Sequence, residues 1–244
     1  MRKFTVKTLT NFNLLLLTPL FLAVQAQAAE PPRWYGSLDV ALASDEIDGF
    51  KVRGIGTGEA IGGQIDGDIR DDKIDDYTAA IGFSVGRRMD HWQTDLSYSY
   101  RYRTDWDLAA STPSIETITN VFSDIQAHSL LLNLARRGAL NTHWSWEVGG
   151  GIGFASKSIE SDYIERATAD TAQVRFAAQR DQTELIYNAF IGVERSFSHP
   201  WSLGIRLRYV DMGGLEAGPF PGRDARISAD HQMIELRFLL RRHW

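Results

Sequence analysis

Eight separate segments of the chain alternate apolar and polar residues with a period of two. That period dictates β-strands, because successive side chains in a strand point to opposite faces. Residues 97–103, SYSYRYR, show the pattern at its sharpest: Tyr98, Tyr100 and Tyr102 share one face, and Ser97, Ser99, Arg101 and Arg103 the other. A soluble sandwich would turn the rings inward and the charges to water. A barrel in a bilayer does the reverse.

The segments are 34–42, 77–86, 92–102, 128–137, 144–154, 184–194, 201–209 and 232–240. Each is close to the ~9–11 residues with which a tilted strand crosses a bilayer. The fourth, HSLLLNLARR, alternates least cleanly. Short connections (RRMDH, GALNTH, RSFSHP) alternate with long ones at roughly 44–76, 103–127, 155–183 and 210–230. Short periplasmic turns and long outer loops are the plan of an outer-membrane barrel. Trp34, Trp92, Trp144, Trp201 and Trp244 fall at the strand ends nearest the short turns or the termini, while Tyr77, Tyr100, Tyr102 and Tyr209 lie toward the other ends. Two aromatic girdles result, one for each membrane interface. The expected fold is all-β: an up-and-down antiparallel transmembrane barrel of eight strands, with four long extracellular loops and three short periplasmic turns.

Residues 1–28 read as an export leader. Arg2, Lys3 and Lys7 precede the apolar run Leu14–Val24, and Ala26-Gln27-Ala28 offers small residues for cleavage. The barrel domain is then 29–244. Removal of three cations moves the formal charge from -5 to about -8, which disfavours nucleic acid as a partner. With no cysteine present, disulfides, thiolate metal sites and a lipid-modified cysteine are excluded.

The inward positions carry Asp39, Asp95, Glu147, Glu184, Glu194 and Glu235 against Arg101, Arg206, Arg208 and Arg237. Eight strands enclose a space that side chains can fill, so a salt-bridged plug is expected in preference to an ion-selective pore. The inward glycines Gly82, Gly86, Gly149, Gly151 and Gly153 are expected to make room for the arginines.

Three constellations invite chemistry. His143, Ser145 and Glu147 share a strand face, as acyl transfer would need, but point into the barrel and lack an identifiable oxyanion donor. Asp75-Asp76 and Asp230-His231 lie near the outer rim, as in rim proteases of the omptin type, yet adjacent residues alternate faces. DGDIRDD at 66–72 offers Asp66, Asp68, Asp71 and Asp72 as oxygen ligands, but Arg70 stands where a calcium loop needs an acceptor. The expectation is no catalytic site, no metal site and no cofactor.

Several stretches resemble the opacity (Opa) family of small surface barrels, related to OmpA- and OmpX-like eight-stranded proteins. They are HWQTDLSYSYRYRTDWD at 91–107, WEVGGGIGFASKSIES at 146–161, SLGIRLRYVDMGGLE at 202–216 and the closing DHQMIELRFLLRRHW. The resemblance covers most of the barrel and little of the first three loops. It implies surface loops that bind host-cell receptors or matrix proteins. Trp106, Phe122, Tyr163, Arg175 and Phe176, assigned to the second and third loops, are the candidate contacts; packing against neighbouring loops is the competing reading for them. The expected role is surface adhesion or another host or envelope interaction, without enzymatic activity. The alternative is a structural barrel or a narrow channel for small solutes. Expected partners are outer-membrane lipid, lipopolysaccharide and the barrel-assembly machinery of a Gram-negative bacterium.

Overall fold

The computed structural model describes residues 33–53, 68–69, 73–112, 117–167, 173–198, 200–220 and 226–244. The expected leader at 1–28 and all of the 66–72 stretch except the backbone of Asp68 and Ile69 lie outside them. The described elements are β1 (Arg33–Arg53), a two-residue β2 (Asp68–Ile69), β3 (Lys73–Met89), β4 (Trp92–Thr112), β5 (Thr117–Ala139), β6 (Trp144–Ala167), β7 (Gln173–Ser198), β8 (Trp201–Ala217) and β9 (Arg226–His243). Apart from β2, which pairs with the end of β4, these are eight long strands. Each is antiparallel to its neighbours, and β9 pairs with β1 while β4 pairs with β5. Over the height of the apolar belt the sheet therefore closes into a barrel without a free edge.

The alternation sets what each face carries. At one end, short turns join β3 to β4, β5 to β6 and β7 to β8, and both termini of the barrel lie there. From this turn end upward the outer wall is apolar: Leu38, Val40 and Leu42 on β1, Phe83 and Val85 on β3, Ile152 and Phe154 on β6, Ile205 and Leu207 on β8. The five tryptophans expected at this end are exposed on the outer wall, and Tyr77, Tyr102 and Tyr209 are exposed at the upper margin of the apolar belt. Both girdles stand, except that Tyr100 is half-buried against Tyr102 and His128. The interior opposite the belt is polar, with Asp39, Asp95, Arg101, Glu147, Arg206 and Glu235 all buried.

The strands do not stop at the upper girdle. They run 17 to 26 residues, so most of the segments expected as long loops are strand. The reason is a change of polarity within single strands. On β6 the outward residues up to Phe154 are apolar, whereas the outward Ser156, Ser158, Glu160 and Asp162 above it are polar. The inward residues change the opposite way: Ile159 and Tyr163 join Ile47, Trp106, Val121, Ile125, Leu215, Phe220 and Ile227 in one buried apolar cluster. Above the belt the wall therefore forms a sleeve with a hydrophobic core and a hydrated outside. From Ser156 to Ala167, at ~3.3 Å per residue and a tilt of ~40°, it rises roughly 25–30 Å. A second apolar layer, including Leu131, Ile186, Val210 and Met233, lies between this core and the charged interior.

The reversal can be tested on three arginine substitutions by denaturant unfolding in lipid vesicles. Ile205→Arg, on the belt, is expected to cost about 2–4 kcal/mol. Ile159→Arg, inside the sleeve, leaves a buried charge unpaired and is expected to cost at least ~3 kcal/mol. Gln179→Arg, on the sleeve's exposed outside, is expected to stay within about 0.5 kcal/mol.

Candidate functional site

Two features of the barrel bear on function: what fills its interior and what its outer end presents. The interior charges sort into tiers. In the tier nearest the turns, Arg88 donates to Glu194 at 2.5 Å, and Arg241 donates to Glu194 as well. Arg241 also reaches Glu147 at 3.1 Å, and Arg206 donates to Glu147 at 2.8 Å. The Tyr35 ring lies 5.4 Å from both Arg88 and Arg241, and its hydroxyl donates to Asp95 at 2.9 Å. In the next tier Glu235 accepts from Arg101, from Arg208 at 2.6 Å and from Arg237 at 2.8 Å, and Arg237 also pairs with Asp39. Asn133 donates to Asp95 at 2.7 Å and accepts from Asn188 at 2.9 Å. Desolvated charges are held here only because each carboxylate meets cations or amide donors directly.

Nine of the ten expected interior charges are buried in this network; Glu184 is half-buried higher up. Arg88, Arg241, Tyr35, Gln93, Asn133, Asn188 and His243 belong to the interior too and went unseen in the sequence. Arg88 and Arg241 carried a signal, since each is half of an Arg-Arg pair whose members must point to opposite faces. The glycines make room for other groups than expected. A Cβ at Gly86 would collide with the Tyr35 ring, at Gly82 with Asp39, and at Gly151 with Asn133.

The candidate chemistry does not assemble. His143 stands exposed in the β5–β6 turn beside Thr142, Ser145 accepts from Arg137 at 3.2 Å, and Glu147 is committed to Arg206 and Arg241. Asp230 is exposed, whereas His231 is buried next to Asp45 at 3.6 Å. Asp76 accepts from the backbone amides of Tyr77 and Asp105.

The five candidate contact residues divide. Trp106 is fully buried, stacked on Phe50 with centroids 5.4 Å apart, and Tyr163 packs on Phe220 at 5.2 Å. Both face the sleeve interior, because the second and third loops are strand here; the reading of these two as exposed contacts is corrected. Phe176 is half-buried against the same core. Phe122 remains 43% exposed on the outside of β5. Its register partners are Asp107 on β4 and Asp162 on β6. Arg175 on β7 completes the stripe, donating to both oxygens of Asp162 at 3.0 and 2.5 Å. The Asp107 carboxyl is raised above its ordinary range by partial burial and then by the charges of Asp105 and Asp76. The stripe thus presents an exposed ring between an acidic corner and a fixed guanidinium.

Two seams interrupt the sleeve, the first where the β3–β4 ladder ends at Ala80–Arg101 while both strands continue. At the second, the β7–β8 ladder ends at Tyr187–Asp211, although both strands continue. Side chains cross this second gap: Lys157 donates to the Gly214 carbonyl at 2.7 Å, Gln182 to the same oxygen at 2.6 Å, and Arg180 to the Gly218 carbonyl at 3.2 Å. A polar cleft of about 220 Å³ remains beside them, lined by Lys51, Glu184, Glu216 and Asp230 among others.

A closed antiparallel barrel with an apolar outer belt, paired aromatic girdles and a charge-paired interior defines an integral β-barrel membrane protein. The chain belongs to the outer membrane protein beta-barrel domain family, whose sequence profile matches residues 14–229. Among solved structures it is similar to OprG of Pseudomonas aeruginosa, at 12% identity over 86% of this chain and 97% of that one, with a TM-score of 0.49. Neisserial surface protein A is 11% identical over 86% of this chain and 98% of its own, with a TM-score of 0.41. Ail, the attachment invasion locus protein of Yersinia pestis, is 11% identical over 83% and 97%, with a TM-score of 0.35. No curated protein sequence matches.

Because Glu235 serves three arginines, Glu235→Gln is expected to lower unfolding stability by about 3–5 kcal/mol. Asp162→Asn, which breaks the exposed Arg175 pair, is expected to cost no more than ~1 kcal/mol. Guanidinium titration of heat-modifiable gel migration separates the two.

Proposed function

We propose that this barrel is a surface protein whose outer end contacts a host or envelope molecule, and that it does not conduct. The observation that carries this reading is the Asp107–Phe122–Asp162–Arg175 stripe, held on the paired strands of the sleeve above a lumen filled by paired charges and two apolar layers. An exposed ring flanked by charges on a preformed surface is the composition of a binding anchor, with little conformational entropy left to lose. A conducting lumen needs a hydrated path, and the apolar layers oppose one. Phe176 supports the stripe from within; Trp106 and Tyr163 serve it only through the stability of the sleeve. The sequence resemblance to the opacity family points to the same class of role, a receptor or matrix protein being the expected partner. The reading includes cleavage of the leader after Ala28, folding by the barrel-assembly machinery and residence among the lipopolysaccharide of a Gram-negative outer membrane.

Displayed on a non-adherent bacterium, the protein is expected to bind at least one member of a host-cell and matrix panel. Phe122→Ala with Arg175→Ala is expected to weaken that binding about tenfold or more, the factor for a ring anchor worth ~1.4 kcal/mol, with gel mobility unchanged. Planar bilayers containing the refolded barrel are expected to show no discrete conductance steps. Unit conductance without loop-end binding would replace this reading with the channel.

A further inference from the structure

The turn end carries a fourfold repeat on its lipid-facing side. Trp34 on β1 is the register partner of Arg87 on β3, Trp92 on β4 of Arg136 on β5, Trp144 on β6 of Arg195 on β7, and Trp201 on β8 of Arg242 on β9. In three of the four the guanidinium lies over the indole, at 5.7 Å for Arg87, 5.6 Å for Arg195 and 5.8 Å for Arg242. Arg195 also lies 5.1 Å from the Phe197 ring. Each of these three arginines is exposed on the outer wall, and among the described residues none has a carboxylate within ion-pair distance. Their chain neighbours behave oppositely. Arg88 and Arg241 turn inward to Glu194, so the Arg-Arg pairs at 87–88 and 241–242 each send one cation into the lumen and one toward lipid.

We propose that this ring binds the phosphates of anionic phospholipids in the periplasmic leaflet. Three features support that occupant. A guanidinium held over an indole by the ring's quadrupole spends none of its N–H donors on a carboxylate, and the fork of those donors matches two phosphate oxygens. The indoles fix the height of the ring at the headgroup level, where tryptophan settles. Beside Arg195 an apolar groove of about 630 Å³ runs up the wall past Trp144, Phe197, Leu203, Phe238 and Leu240, giving an acyl chain a place to lie beneath its own phosphate. Charge favours an anionic lipid over a zwitterionic one. Asp90 is the one acidic side chain among the described outward residues at this end and pairs with none of the three arginines, so an ethanolamine ammonium would meet three cations held over indoles.

The test reads tryptophan fluorescence of the refolded barrel in vesicles of brominated phosphatidylglycerol mixed with unlabelled phosphatidylethanolamine, and in the reverse labelling. The wild type is expected to prefer phosphatidylglycerol about fivefold, the factor that ~1 kcal/mol per basic residue near a lipid surface gives. Arg87→Gln, Arg195→Gln and Arg242→Gln together are expected to reduce the preference to unity. Native migration on a semi-denaturing gel checks that this variant is folded; the single Arg195→Gln variant, read by quenching from a lipid brominated near its headgroup, stands in where it is not. Millimolar inorganic phosphate is expected to leave the preference intact. Equal quenching by both lipids in the wild type, a preference that survives loss of the three arginines, or displacement by free phosphate would each overturn the proposal.

Discussion

Inside a bilayer no water reaches a backbone amide, so every N–H and C=O at that depth must bond within the protein. The ladder of this chain meets the demand by closing β9 on β1, and the rest of the molecule follows from that closure. Eight strands leave a narrow interior, and alternation delivers to it every residue that cannot face lipid. What arrives is charged. It is tolerable because acceptors and donors arrive from different strands at the same height: Glu235 from β9 meets Arg208 from β8 and Arg101 from β4. The network is thus a consequence of closure and also fixes the cross-section of the barrel, since the arginines span it from wall to wall.

The belt was legible in the sequence because lipid and lumen impose opposite chemistry on alternate residues. The sleeve was not, for a reason visible in single strands. On β6 the apolar residues sit at even positions up to Phe154 and, apart from Ile164, at odd positions from Ala155 onward. A reader following one phase sees it fail there and reads a loop. On β4 the register shift between Arg101 and Thr104 adds a slip, which hid Trp106 among apparent loop residues. Inward charges were recognisable from parity alone. Their partners were not, because pairs such as Arg88 with Glu194 join residues 106 apart in sequence, and register around a barrel is set by closure and not by local pattern.

The β7–β8 seam shows the same rule relaxed. Above the upper girdle water is available, and backbone groups no longer have to find one another. The bulge between Asp211 and Gly213, with Gly213 at a positive φ of 71°, follows the loss of β7 as a partner while β8 stays paired with β9. Lys157, Gln182 and Arg180 then take over carbonyls that a ladder would have used. Irregularity appears in the wall only after the solvent permits it.

The polarity exchange has a further consequence. Below one level of the barrel the outside is greasy and the inside charged; above it the outside is hydrated and the inside greasy. Sinking the barrel would drag Ser156 and Ser158, and behind them Glu160 and Asp162, into hydrocarbon, and lifting it would strand Phe154 and Leu185 in water. Both displacements are uphill, so the protein has a fixed draught in the membrane, like a hull with a painted waterline. Whatever the outer stripe touches is therefore met at a height determined by strand length, the same for every copy on the cell.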